Sequence, residues 1–346
     1  MPTRNRMLTL AGLLLALVAV WLRVPLASSQ GLTVTVPAVD GPLPMTEIDS
    51  ALWQQATAVE VPLSAQIIAR PIQPQTNIHA VTVRGLHNGD ELALLVEWAD
   101  PTRNESSLRP EDFRDGVAVQ FPLAEGLPFF CMGQQGGDVN IWHWKADWQA
   151  DILAQRTLRD TFPNMYVDYY QFTEEGGDPL LAAYTDVNYL PSLAAQNLMG
   201  ALTHDTPVEN LIAGGFSALT GLPADRQTVH GHGEWHDGVW RVIFGRKLNA
   251  TAPEDVALAT DTVYSVAFAA WDGANQERNG IKSTSQWVSL QLIPLAASSG
   301  QMDPASVGRG GERLPLWAWL VMLAVLSMLV WVAVHYANLG NKPSAT

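Results

Sequence analysis

Residues 78–98 read IHAVTVRGLHNGDELALLVEW. Two extended runs, Ile78–Gly85 and Glu91–Trp98, flank His87-Asn88-Gly89-Asp90, and a Gly-containing polar turn between apolar runs predicts a β-hairpin. In the second run Leu92, Leu94, Val96 and Trp98 share one face while Glu91 and Glu97 mark the other, the period of a half-buried strand. The pattern recurs along the chain. Thr228–Trp235 and Val239–Leu248 flank His236-Asp237-Gly238 as a second hairpin, and Asp115–Phe121, Thr262–Trp271 and Thr284–Ile293 read as further strands. Asp49–Trp53 reads as a short turn that drops Trp53 onto a core, and Asp147–Arg159 as a short helix. Many short strands with few helices predict an all-β chain, an antiparallel β-sandwich carrying a long irregular insertion over Asp168–Ala213.

One segment resists that alternation. Phe129–Trp148, FFCMGQQGGDVNIWHWKADW, combines a thioether (Met132), a Gly-rich turn, three tryptophans (Trp142, Trp144, Trp148) and Lys145. A solvent loop rarely carries so many indoles, so the segment reads as the wall of a pocket for something flat and apolar.

The ends differ from the middle. Hydrophobic residues make up 47% of the chain and charged ones 16%, with the apolar excess at the two termini. Arg4 and Arg6 precede the uncharged run Met7–Leu22 and then Ala27-Ser28-Ser29, which predicts a secretory signal over residues 1–29, cleaved or kept as an anchor. Leu316–Val334 carries no charge and, as a helix, would span roughly 29 Å, the thickness of a bilayer core. Trp317, Trp319, Trp331 and Tyr336 sit near its ends, as interfacial aromatics do. These features predict a domain at residues 30–295 outside the cytoplasm, a tether at 296–313, a transmembrane helix at 314–337 and a cytoplasmic tail at 338–346.

Composition excludes several functions. A net charge of −14 argues against nucleic-acid binding and suits a basic partner. A single cysteine, Cys131, rules out an intramolecular disulfide, covalent haem attachment through CxxCH, a cysteine zinc site and four-cysteine iron–sulfur ligation. There is no GxSxG elbow for a serine hydrolase. His230 and His232, one strand repeat apart, could ligate a metal with His236 or form a polar hairpin face; the spacing allows both.

Read together, VEWADPT (96–102), FRDGVAVQFP (113–122), Met132-Gly133, VNIWHWKADWQ (139–149), PVENLIAGGFSALT (207–220), GEWHDGVWRVIFGRKL (233–248) and VAFAAWDGANQERNGIKSTSQW (266–287) resemble one family. It is that of the haem b-binding γ subunits of complex iron–sulfur molybdoenzymes, the group of ethylbenzene and dimethyl sulfide dehydrogenases, chlorate and selenate reductases and related nitrite oxidoreductases. The resemblance spans roughly Trp53–Leu292. It implies a non-covalent haem b whose iron is held axially by Met132 and Lys282, with Trp142 and Trp144 bordering the ring; charge complementarity alone then offers Lys145, Arg278 or Arg246 as partners for the propionates. It also implies an electron-transfer subunit rather than a catalyst, working with an iron–sulfur subunit, a molybdopterin catalytic subunit and a c-type cytochrome or similar redox partner. The C-terminal anchor departs from the soluble members and suits a membrane-held, nitrite-oxidoreductase-like assembly. The alternative is a carbohydrate-binding sandwich in which exposed Trp142 and Trp144 stack on sugar rings.

Overall fold

A computed structural model describes residues 31–123, 132–166, 191–201, 203–250, 252–260 and 262–294. In chain order its strands are β1 (Thr33–Val36), β2 (Val59–Ala65), β3 (Ala80–His87), β4 (Glu91–Ala99), β5 (Gly116–Pro122), β6 (Val139–Lys145) and β7 (Val208–Ala213). They continue as β8 (Leu219–Gly221), β9 (His230–His236), β10 (Val239–Lys247), β11 (Val263–Trp271), β12 (Ser283–Ser285) and β13 (Val288–Leu292). The pairing path is β8-β7-β6-β5-β11-β12-β2-β3-β4-β10-β9, with β13 joining β11 to β1. Every pair is antiparallel except β1 with β13.

The path folds into two layers because alternate residues on both halves are apolar. Leu94, Val96, Trp98, Trp240, Val242 and Phe244 from β4 and β10 share one core with Val117, Val119, Trp142, Trp144, Val266 and Phe268 from β5, β6 and β11. Indole rings mesh where the layers meet: Trp144 lies 6.2 Å from Trp98 and 5.0 Å from Trp240, both edge-on. Such contacts contribute beyond the area they bury. Gly233 is required there, since a Cβ on it would stand 2.3 Å from the Trp144 ring. The layers are continuous through β2, which pairs with β12 on one side and β3 on the other.

Both expected hairpins form: β3 pairs with β4 and β9 with β10. Trp53 sits on a 3-10 turn, Ala51–Gln55, and is buried against Leu43, Ile48 and Leu95 on the outside of the β4 layer. The helix α1 covers Ala146–Leu153 and stops there; Leu158–Thr161 is a separate turn capped by Thr157.

Two expectations are corrected. Residues 139–145, read as pocket wall, are the strand β6, flanked by β5 and β7; Ile141 and His143 face a cavity, but the tryptophans Trp142 and Trp144 turn to the opposite face. Residues 208–213, read as the end of an irregular insertion, are the strand β7. Both strands are buried on both faces, so polar Asn140, Lys145, Glu209 and Asn210 are paired inside instead of marking a solvent side. The rest of that insertion lies partly outside the described residues, as do residues 1–30 and 295–346, where the signal and the transmembrane helix were expected. Among the described residues no helix is long and apolar enough to cross a membrane.

Candidate functional site

Strand alternation builds the site. On β5 and β11 the large residues Val117, Val119, Val266 and Phe268 point into the sandwich. The residues between them are small: Gly116 and Ala118 on β5, Ala267 and Ala269 on β11. These four line a cavity of about 890 Å³ on the outer face of the layer, within the usual range for a cofactor or drug-sized ligand. Ile141 and His143 of β6 and Leu211 of β7 extend the floor, and Trp271 stands at one side. Loops over 66–71, 107–114 and 277–280 close over it. A flat apolar group fits the patch where Gly116, Ala118, Ala267 and Ala269 lie side by side, bounded by the larger Gln120 of β5 and Trp271 of β11.

Met132 and Lys282 meet in this cavity. Lys282 Nζ lies 3.6 Å from Met132 Sδ and 5.0 Å from the centre of the Trp271 ring. Lys282 immediately precedes β12, where its carbonyl accepts from Gln66 N at 3.1 Å. Met132 is fixed by a turn docked on the end of β7: its carbonyl accepts from Gly215 N at 2.9 Å. Gly133 follows with φ +73°, and a Cβ there would fall 2.7 Å from the carbonyl oxygens of Ala213 and Gly137. The Met-Gly pair therefore has a steric reason, because only glycine lets this turn lie so close to β7.

The other sequence candidates separate. Trp142 and Trp144 are wholly buried between the layers and have no face on the cavity. For the same reason neither indole can stack on a sugar ring from solvent. Lys145, also on the outer face, is 1% exposed. It forms an ion pair with Glu209, lies 3.2 Å from Met199 Sδ and sits 3.7 Å over the Trp148 ring. Burial pushes the Lys145 ammonium down to about 8, with Glu209 opposing the shift. Arg278 stands exposed on the cavity rim, over the Phe113 ring and donating to the Asp112 carbonyl at 2.8 Å. Arg246 points inward, toward Trp142, and donates to the Val256 carbonyl at 2.7 Å.

The histidines divide likewise. His230, His232 and His236 alternate along β9 opposite Gly231, Gly233 and Trp235; His232 contacts Glu234 and His236 contacts Asp237. Among the described residues they form no metal-sized cluster. His143 lines the cavity, stacked 4.5 Å from Trp271; burial holds it well below the ordinary imidazole range, so it is neutral. His204 stacks 3.7 Å from Trp148 and is lowered to about 4, again by burial.

Two buried carboxyl groups were not singled out from sequence. Asp115 accepts from Trp240 Nε1 (2.9 Å), Asn104 N (2.7 Å) and Gly273 N (2.8 Å), tying the start of β5 to the loop after β11. Burial, then repulsion from Asp100, pushes Asp115 up to about 7. Glu277 lines the cavity at 2% exposure and is likewise pushed up to about 7, chiefly by burial. Scarce charges inside apolar-flanked loops were the available signal for both, but burial needs the packed structure.

A family profile described as "Ethylbenzene dehydrogenase" matches residues 50–283. The chain is 26% identical over 246 residues to a Haloferax mediterranei protein named as a candidate respiratory nitrate reductase heme subunit, ORF7, covering 71% of this chain and 67% of that one. It is 26% identical over 265 residues to dimethylsulfide dehydrogenase subunit gamma of Rhodovulum sulfidophilum, covering 72% and 76%. Among solved structures, a carbohydrate binding module of family 9 from Caldicellulosiruptor kristjanssonii, in complex with glucose, aligns over 78% of this chain and 97% of its own. Its identity is 10% and its TM-score 0.35, too loose a likeness to argue from.

Proposed function

The chain belongs to the ethylbenzene dehydrogenase family, and from that we propose that it is a haem b electron-transfer subunit with Met132 and Lys282 as the axial iron ligands. The observation that carries this reading is the meeting of the two side chains over a small-residue floor, at 3.6 Å, although they are 150 residues apart in sequence. Bound there, the haem would supply one-electron transfer, since two protein ligands leave the iron no open position for substrate.

The residues present suit that role. Met132 offers a neutral, soft sulfur, which favours the ferrous state. Lys282 ligates only as a neutral amine, and bringing an ordinary lysine to that form at pH 7 costs about 4.6 kcal/mol. An apolar surround lowers the cost by disfavouring the ammonium. Trp271 and the alanine floor supply part of it. Arg278, exposed on the rim, would pair with a propionate.

In the full assembly the subunit passes electrons between the iron–sulfur subunit of a molybdenum oxidoreductase, of nitrite-oxidoreductase type, and an extracytoplasmic partner such as a basic c-type cytochrome. The charge of −14 favours such a partner. Leu316–Val334 anchors the domain on the outer face of the membrane as a single-pass helix.

Absorption spectra of protein from haem-replete cells test the reading. A reducible Soret band with sharp α and β bands is expected, and a colourless protein refutes it. Met132→Ala and Lys282→Ala should each turn the spectrum high-spin or abolish haem retention, whereas His143→Ala should keep it low-spin. The reverse pattern would move the axial ligand to His143.

A further inference from the structure

Glu277 is a carboxyl group on the wall of the cofactor cavity that takes no part in the axial ligation. It is 2% exposed, and its bonds come only from neutral donors. Gln73 Nε2 and Asn77 Nδ2 donate to Oε1, the latter at 2.6 Å, and Asp272 N donates to Oε2 at 2.9 Å. The same Gln73 and Asn77 belong to the segment that carries the loop over 66–71, so the carboxyl is held in one place from two sides.

The cations around it are turned elsewhere. Arg114 pairs with Asp147 at 2.7 Å and Arg109 with Asp112. Arg278 donates to main-chain carbonyls, and Lys282 lies against Met132 and Trp271. Arg70 stands exposed in the rim loop. The acids face inward: Asp272, which raises the Glu277 carboxyl by repulsion, and behind it Asp115 and Asp100, all three buried and gathered within 4.8 Å. Among the described residues, the hydrogen bonds to Glu277 thus come from neutral donors, in a place where burial magnifies any charge added nearby.

We propose that Glu277 takes up a proton when the cofactor of this cavity is reduced, so that the electron accepted by the iron is balanced by a proton from solvent on the Glu277 carboxylate. The inference rests on the haem reading above. Reduction converts ferric to ferrous iron with one electron from the redox partner, and Glu277 passes from carboxylate to carboxylic acid; reoxidation releases the same proton. The acid form would donate to solvent or a neighbouring acceptor through Oε1 or Oε2, while the amides of Gln73 and Asn77 hold the group in the wall.

The sign follows. An added negative charge raises the affinity of Glu277 for a proton, so the reduction potential falls as pH rises through the neutral region where the carboxyl titrates, burial having pushed it up to about 7. The slope approaches about 59 mV for each tenfold change in proton activity, the one-electron limit.

Equilibrium redox titration of the haem-loaded protein from pH 5.5 to 8.5 tests this, with Glu277→Gln beside the parent. The parent should show a falling potential that flattens at both ends of the range, and the variant a flat one with an unchanged low-spin spectrum. As a check that needs no variant, the redox-difference infrared spectrum of the parent should gain a protonated carboxylic C=O band on reduction. A potential independent of pH, no carboxylic band, or the same slope in Glu277→Gln overturns the proposal. A colourless protein overturns the haem reading with it, whereas a coloured protein with a flat potential overturns this inference alone.

Discussion

Two lysines on the outer face of one β-layer have nearly the same neighbours and different roles. Lys145 touches the sulfur of Met199 at 3.2 Å and the ring of Trp148 at 3.7 Å; Lys282 touches the sulfur of Met132 at 3.6 Å and lies 5.0 Å from Trp271. Both methionines line the same cavity. Glu209 is ion-paired with Lys145 and stabilises its ammonium. A lysine whose proton is held by a buried carboxylate cannot offer a lone pair, so Lys145 is a structural cation, while Lys282 stands where a neutral amine is useful. Lysine beside methionine and tryptophan is thus no ligand signature by itself.

The contrast can be tested by removing one element at a time. The largest loss of stability is expected from Lys145→Met, which strands Glu209 as a buried unpaired carboxylate; truncating one partner of such a pair costs about 3–5 kcal/mol, read by chemical denaturation. The double variant Lys145→Met, Glu209→Leu should recover most of it. Recovery of nothing would mean that the pair is not what Lys145 contributes. Lys282→Ala should cost the cofactor-free protein only about 1 kcal/mol while abolishing low-spin haem, and Lys145→Met should keep the spectrum. If the two variants exchange these phenotypes, the roles assigned above are reversed.

Filling the floor tests the site without touching either lysine. Ala118→Leu and Ala269→Leu project into open cavity, so they should cut haem stoichiometry at least tenfold with stability changed by about 1 kcal/mol or less. Trp144→Ala, on the inner face of the same layer, should instead cost about 3–5 kcal/mol. The pH dependence of folding gives a further test. Asp115 and Glu277, raised to about 7 by burial, leave the folded chain holding more protons than the unfolded one between about pH 4 and 7. Their contribution is fully present below about pH 4, where the unfolded carboxyls are protonated too, and is lost as pH rises through about 7. Melting temperatures in matched buffers should therefore decline from pH 5.5 to 8, less steeply in Asp115→Asn.

Much of the fold was legible because Gly-containing polar turns separate apolar runs. Residues 78–98 and 228–248 carry that signal, and both pair as their turns dictate; β4, expected half-buried, is covered on both faces because Ala93 and Leu95 pack with Trp53. β6 and β7 have no such turn between them, and Lys145 and Glu209 sit where a half-buried strand would show solvent-facing residues. Tryptophan is ambiguous in the same way: Trp142 and Trp144 look like a cofactor wall in sequence, yet register aims them at Arg246, Trp98 and Trp240. The cavity was invisible for the opposite reason, being made by what is missing from Gly116, Ala118, Ala267 and Ala269. The choice of Met132 and Lys282 came from the family resemblance and not from spacing, and the oddness of a lone Lys145 was a sound signal for burial but not for what it meets.

Met132 hangs from the end of β7, whereas Lys282 leads into β12. Four strand-to-strand steps separate those flanks along the path β7-β6-β5-β11-β12, and the two side chains reach over the strands between to meet at 3.6 Å. Whatever both residues grip is a strap buckled across the width of the layer, and β12 is also the rail on which the second layer is hung through β2. Loading the strap should stiffen the whole sandwich against sliding of its strands, and should slow hydrogen exchange in β5 and β11, which lie beneath it without supplying either buckle.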